Sequence, residues 1–425
     1  MTADPNLPGT VRKGPRERPL REFTADSSYS WLRLAVSMAA GTIASIGMWA
    51  IVLVLPQVQA DYGLARGETS MAYTATMIGF GLGNLLLGRL VDRFGIAPVL
   101  AGAGVALAAG FGLGALANDI YQFSAAQLLI GVATAAGFGP LIADVSHWFV
   151  KRRGIAVAAA ASGNYLAGAI WPVVLKGVLE GAGWRTAFLI IAVVCVAALL
   201  PVAAMLRRRP PETALSPSPA NAPFGQTRAA MSPLMLQILL ATAGVGCCIA
   251  MAMPQVHIVA YCTDLGYGVG AGAQMLSVML TGGIISRLTF GFIADRIGGV
   301  KTVLLGSTLQ CLALFLYIPF NGLASLYVVS AIFGLSQGGI VPNYAVIVRE
   351  YLPAREAGRR VGIVILATVV GMAIGGWMSG WIYDVTGSYQ AAFINGIAWN
   401  MMNMAVLAFI LFRTRAPREP QLAAA

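Results

Sequence analysis

The chain alternates long apolar stretches with short polar ones. Between its breakers this pattern predicts twelve helices, at roughly 32–58, 70–90, 96–117, 121–145, 154–179, 185–206, 233–262, 271–294, 300–319, 323–346, 361–382 and 388–412. Runs such as Leu32 to Leu55, Val99 to Leu116 and Ala187 to Leu206 are long enough, at about 1.5 Å per residue, to cross a hydrocarbon core of about 30 Å. The widest polar interruption, residues 207–232, opens with Arg207-Arg208-Arg209-Pro210-Pro211 and continues without periodicity. It reads as a linker that splits the helices six and six. The expected fold is therefore an all-α polytopic membrane protein of two six-helix bundles, residues 31–206 and 233–412. A disordered cytoplasmic tail over 1–30 and a second cytoplasmic tail over 413–425 complete it. Residues 1–30 are polar and basic, with Arg12, Lys13, Arg16, Arg18 and Arg21, and lack the apolar segment and small-residue cleavage site of a signal peptide.

Composition sharpens this picture. The chain is 58% hydrophobic and only 11% charged, against about 25% charged in soluble domains, so a water-facing surface is excluded. Many of the 50 glycines stand at small-xxx-small spacing, as in Gly79-Phe80-Gly81-Leu82-Gly83, where they let helix backbones approach in lipid. The net charge of +11 lies in short basic runs between apolar spans, which indicates topology and a bilayer partner instead of nucleic acid. With the N-terminus cytoplasmic, only Arg66, Lys176 and Arg185 fall on the opposite side, and Arg287 falls within a span. Both termini are thus expected inside, with the chain in the inner (plasma) membrane. The five cysteines have no CxxC spacing, so no metal site, disulfide frame or cofactor is expected. Neither a G-x-x-x-x-G-K-[ST] nor an H-E-x-x-H phrase is present, so the chain is expected to be no enzyme, driven by a gradient or by exchange.

One phrase occurs twice at matched places, as Gly88-Arg89-Leu90-Val91-Asp92-Arg93-Phe94-Gly95 and Gly291-Phe292-Ile293-Ala294-Asp295-Arg296-Ile297-Gly298. Such repetition indicates a duplicated transporter. Gly88 and Gly291 are expected to admit a neighbouring helix. An Asp at a helix end can pair with Arg or accept N–H bonds from the next helix, so Asp92, Arg93, Asp295 and Arg296 are expected to form a cytoplasmic latch, partnered by Asp144 and Glu350. The halves also match at Gly183-Trp184-Arg185 and Gly387-Ser388-Tyr389, and in the basic loops before the fifth and eleventh helices.

With both copies in place, the chain resembles the major facilitator superfamily over residues 30–412, its signature being G-x-L-x-D-R-x-G after the second helix with a weaker copy after the eighth. More narrowly it resembles the monocarboxylate transporter and oxalate/formate branch, on Arg287 eight residues before Asp295 and on the seventh-helix phrase Met253-Pro254-Gln255-Val256-His257 through Gly266. The resemblance implies rocker-switch alternating access moving a small organic anion, a monocarboxylate, with a proton or counter-anion as the coupled species, and the carrier is expected to act as a monomer. It also marks departures. The family's eighth-helix Asp corresponds to Gly283, its first-helix Lys to Gln57 after Pro56, and its eleventh-helix Lys to Thr368. One membrane cation favours a monoanion, and the missing Asp leaves proton coupling open. A carrier of a neutral or drug-like solute is the alternative reading.

Eight residues place Arg287 about 12 Å from Asp295, near the bilayer midplane. An Arg there costs at least about 2.5–3.5 kcal/mol and cannot be deprotonated, so it is expected to face a cavity and meet an anion, a carboxylate fitting its planar fork. The alternatives are snorkelling or carbonyl partners. His257, seven residues inside Asp264, is either a packed core residue or a group that bonds substrate or carries a proton. Pro254 favours a kink beside it. His147 is read as interfacial. Further candidate lining is Trp49 and Gln57, Asn164 and Tyr165, Gln337, Asn343 and Tyr344, and Thr368, each equally suited to substrate contact or interhelical bonding.

Overall fold

The computed structural model describes residues 25–150, 152–208, 231–352 and 356–414. Most of the two expected tails and of the linker lies outside the described residues. Within these, the first half comprises α1 (Ser28–Ala44), α2 (Ile46–Tyr62), α3 (Arg66–Phe94), α4 (Ile96–Leu116), α5 (Ile120–Thr134), α6 (Gly139–Ser146), α7 (Arg153–Gly181) and α8 (Gly183–Met205). The second comprises α9 (Pro233–Asp264), α10 (Gly268–Ile297), α11 (Gly299–Leu316), α12 (Leu323–Gln337), α13 (Ile340–Tyr351), α14 (Ala357–Thr386) and α15 (Tyr389–Thr414). They make 12 helical spans long and apolar enough to cross a membrane. Three spans are interrupted: the first at Ser45 between α1 and α2, the fourth between α5 and α6, and the tenth at Gly338-Gly339 between α12 and α13. Pro140 follows the fourth-span break, where the lack of an N–H is harmless at a new helix start. The seventh span, α9, runs unbroken through Pro254. The discontinuity expected there lies in the facing tenth span, where two consecutive glycines stabilise helix poorly.

The doubled motif builds the turns α3–α4 and α10–α11. Its last glycine stands at φ 83° in Gly95 and φ 84° in Gly298, a backbone that L side chains rarely adopt. The first motif glycines behave differently from expectation. A Cβ added at Gly88 or Gly291 meets nothing within 4 Å, because these glycines lie on faces of α3 and α10 that meet no neighbour among the described residues. Close approach occurs deeper, where a Cβ at Gly131 would lie 2.1 Å from the Thr76 carbonyl oxygen and one at Gly334 would lie 2.0 Å from that of Met279. These matched contacts seat α5 on α3 and α12 on α10.

Polar bonds supplement packing where apolar side chains gain nothing by leaving lipid. Asn400 donates to the Ser307 carbonyl at 2.7 Å, Asn403 to the Ser307 hydroxyl at 2.8 Å, and the Tyr344 hydroxyl to Asn403 at 3.0 Å, tying α11, α13 and α15. In the first half Arg33, 2% exposed, holds Asp144 through two bonds of 3.0 and 2.9 Å and also reaches the Leu206 carbonyl at 3.1 Å. The halves meet along α3 against α14, α7 against α10 and α2 against α9.

Candidate functional site

Arg287 lies on α10 where the two halves touch. Its Nη1 donates to the Ala161 carbonyl of α7 at 2.7 Å, its Nε to the Gly338 carbonyl at 3.4 Å, and its guanidinium carbon sits 4.3 Å from the centre of the Tyr165 ring. Pro342, four residues on, has no N–H to give the Gly338 carbonyl, which is why an α10 side chain can claim it. Among the described residues no carboxylate pairs with Arg287. Two carbonyls and a ring face solvate the cation without neutralising it.

Gly283, one turn from Arg287, leaves space that its surroundings fill. A Cβ there would stand 3.0 Å from the Tyr165 ring and 3.6 Å from Nε2 of Gln337. Gln337 is fully buried at the end of α12, and its Oε1 accepts from Gln255 of α9 at 2.8 Å. Gln255 is a residue that sequence reasoning passed over, since one amide in an apolar helix carries no periodic signal.

Of the other expected site residues, the structure joins only Tyr165 to Arg287. His257 is fully buried, and its Nε2 meets the Gly376 carbonyl of α14 at 2.8 Å. It points away from Arg287, since Gln255, which reaches Gln337, is two residues and so about 200° away around the helix. Gln57 donates to the Leu179 carbonyl at 2.8 Å, and Asn164 donates to the Met48 sulfur at 3.6 Å while its carbonyl accepts from Trp49 at 2.9 Å. These bonds join helices within the first half. Asn343 bonds back to the Gly339 carbonyl at 2.7 Å, and Thr368 to that of Ile365 at 2.6 Å. Tyr344 is occupied by Asn403, so its hydroxyl belongs to the bundle interior. His147 is half-buried at the end of α6.

The latch charges are not engaged in this conformation. Asp92, Arg93, Asp295 and Arg296 are exposed, and no ion pair joins them among the described residues. Asp144 is taken by Arg33, and Glu350 accepts the Gly299 N–H with both oxygens, at 2.9 and 3.1 Å. The halves are clasped at the far face instead. There Arg66, 6% exposed, binds Asp264 and the Tyr389 hydroxyl, donates from Nε to the Gln59 amide oxygen at 2.9 Å and lies 4.4 Å from the Tyr383 ring centre. The N–H groups of Arg66 and Gly67, at the positive start of α3, donate to Asp384 at 2.8 and 2.6 Å. From this clasp the cross-half hydrogen bonds run through Thr74 to the Ala373 carbonyl and through Ser277 to that of Ala169, and reach Arg287. The clasp was missed because Arg66 read as a loop charge. Its signal was the pair of acids, Asp264 and Asp384, ending the seventh and eleventh helices.

Among the described residues no group of three or more His, Cys, Asp or Glu side chains is placed to hold a metal.

Comparison with known proteins agrees with this architecture. The family model for the Major Facilitator Superfamily matches residues 38–299 and 238–425. Monocarboxylate transporter 13 of Rattus norvegicus is 25% identical over 344 residues, covering 80% of this chain and 78% of its own. The fujikurins efflux protein of Gibberella fujikuroi is 28% identical over 297 residues, covering 68% and 61%. The crystal structure of a bacterial homolog to the human lysosomal transporter Spinster, inward-facing and occupied, superimposes with a TM-score of 0.70 at 12% identity, covering 92% of this chain and 97% of that one; it speaks for the fold. With the doubled motif, the two six-span halves and the matching family model, the chain belongs to the Major Facilitator Superfamily and is a transporter.

Proposed function

We propose that this transporter moves a small organic anion, a monocarboxylate, by secondary active transport in which the two bundles rock about Arg287. The observation that carries the reading is the cation itself, held between the halves by carbonyls and a ring face with no carboxylate paired to it among the described residues. A substrate carboxylate supplies the missing charge, and its two oxygens match the guanidinium fork. Relatives named as monocarboxylate transporters support the cargo class. A proton or a counter-anion is the coupled species. His257, whose Nδ1 has no partner among the described residues, is the candidate for a coupling proton, next to the far-face clasp. The motif face is assigned to the cytoplasm of the inner (plasma) membrane by its basic loops, and the carrier works as a monomer. Asp92, Arg93, Asp295 and Arg296 act as the latch when that face is shut.

Uptake into proteoliposomes, measured with a panel of short monocarboxylates, tests the reading. Arg287→Ala is expected to abolish uptake while Arg89→Lys retains it, and full transport by Arg287→Ala overturns it. A second reading, export of a neutral or drug-like solute, is favoured by the efflux relative. It predicts competition by neutral solutes and none by carboxylates.

A further inference from the structure

We infer that the side-chain amide of Gln337 is a second donor to the bound anion, and that Gln255 is the residue that positions it. The inference rests on the carboxylate reading of Arg287. Gln337 is 0% exposed, and its Nε2 has no hydrogen-bond partner among the described residues. Buried amide donors are almost always paired, so an orphaned one at a protein's interior joint needs a reason. Its orientation is set from outside: Oε1 accepts the Gln255 amide at 2.8 Å, which leaves the NH2 group as the free end.

That free end lies beside Gly283, and the same side of α10 carries Arg287 one turn on. Nε2 lies 3.6 Å from the point where a Cβ of Gly283 would stand, and the Tyr165 ring lies 3.0 Å from that point. The same ring is the one over which the Arg287 guanidinium sits at 4.3 Å. Backbone ties the two donors further, since Arg287 reaches the carbonyl of Gly338, the residue after Gln337. This side of α10 thus carries a cation and faces a neutral amide donor, with no acid among the described residues paired to either. Such a donor-rich corner takes an acceptor-rich group, and a carboxylate offers more lone pairs than one guanidinium uses. Gln255 touches Gln337 and not this corner, so it acts through its neighbour.

Binding of sodium salts of C2–C6 monocarboxylates, with their 2-hydroxy and 2-oxo derivatives, to the purified full-length carrier tests the assignment by ligand-dependent thermal shift. Gln337→Leu is expected to raise the dissociation constant about tenfold or more, the loss of one bond to a charged group, with a lower melting temperature of the ligand-free protein because the buried Gln255 amide loses its acceptor. Gln255→Leu is expected to weaken binding less, and the Gln255→Leu/Gln337→Leu double variant, which leaves neither amide orphaned, to bind no more weakly than Gln337→Leu alone. Wild-type affinity in Gln337→Leu and in the double variant, alongside lost binding in Arg287→Ala, overturns the role of Gln337 and leaves it as interhelical bonding. Retained binding in Arg287→Ala, or a wild-type protein that binds no acid of the panel, overturns the carboxylate reading and this assignment with it.

Discussion

The joint of α3 with α5 and the joint of α10 with α12 share one scaffold and part at two positions. Gly131 and Gly334 bring the second helix of each pair onto the carbonyls of Thr76 and Met279 in the same manner. One turn further along, the first half places Phe80, whose ring packs 5.9 Å from that of Phe138 and fills the crevice from within. The second half has Gly283 there, and Tyr165 of the opposite half enters the space. A further turn along, Asn84 bonds back to the Phe80 carbonyl at 2.8 Å, while its counterpart Arg287 crosses to Ala161. Duplication therefore supplies the packing, and two substitutions turn one of two equivalent crevices outward to the other half. The far face repeats the lesson. Gly67 meets Asp384 as Gly270 meets Glu180, but only the first joint carries an arginine, Arg66, where the second has Val269.

The largest expected effect comes from removing that asymmetry at its charge. Arg287→Ala should lower anion affinity about a hundredfold or more, since truncating one partner of a buried charged contact costs about 2–5 kcal/mol. Asn84→Ala should stay within about twofold in the same thermal-shift titration, and equal losses in both would erase the distinction between the halves. Gly283→Ala forces the Tyr165 ring to shift, and an overpacked site of this kind loses about 1–3 kcal/mol. Its dissociation constant is therefore expected to rise about tenfold, whereas Gly291→Ala on the same helix, meeting nothing, serves as the matched control. At the far face Asp384→Asn leaves one acceptor for two N–H donors. A cysteine at the fully buried Ser70 should then react with a membrane-impermeant thiol reagent several-fold faster, the loss of about one hydrogen bond. An unchanged rate would show that Arg66 with Asp264 holds the clasp alone. Glu180→Gln, at the joint without an arginine, is expected to change the rate least.

Much of the frame was legible in the chain. Twelve spans follow from apolar length, and the six-and-six division follows from the linker and the repeated motif, because a helix in lipid must satisfy its own backbone and so announces itself by composition. Arg287 was legible too, since a cation deep in a span is rare. Its partners were not. Tyr165 and Ala161 come from α7 and Gly338 from the end of α12, two distant segments, and their meeting depends on how α7 crosses α10. Tyr344 and His257 looked equally eligible as site residues because a polar side chain on an apolar helix reads the same whichever way it faces. The structure sets Tyr344 against Asn403 and His257 against Gly376.

The amino-acid sequence by itself determined the number of spans, the duplication and the place of Arg287 inside the eighth span, all properties of local pattern and spacing along the chain. Only the tertiary structure decided which end is clasped, that Arg66 bridges to Asp264 while Asp92 and Asp295 make no ion pair among the described residues, and that Gln337 sets an amide beside Gly283, one turn from Arg287. These are contacts between helices far apart in the chain. Their energies arise from pairing buried charges and amides across an interface, and no local spacing encodes the rotation of one helix against another.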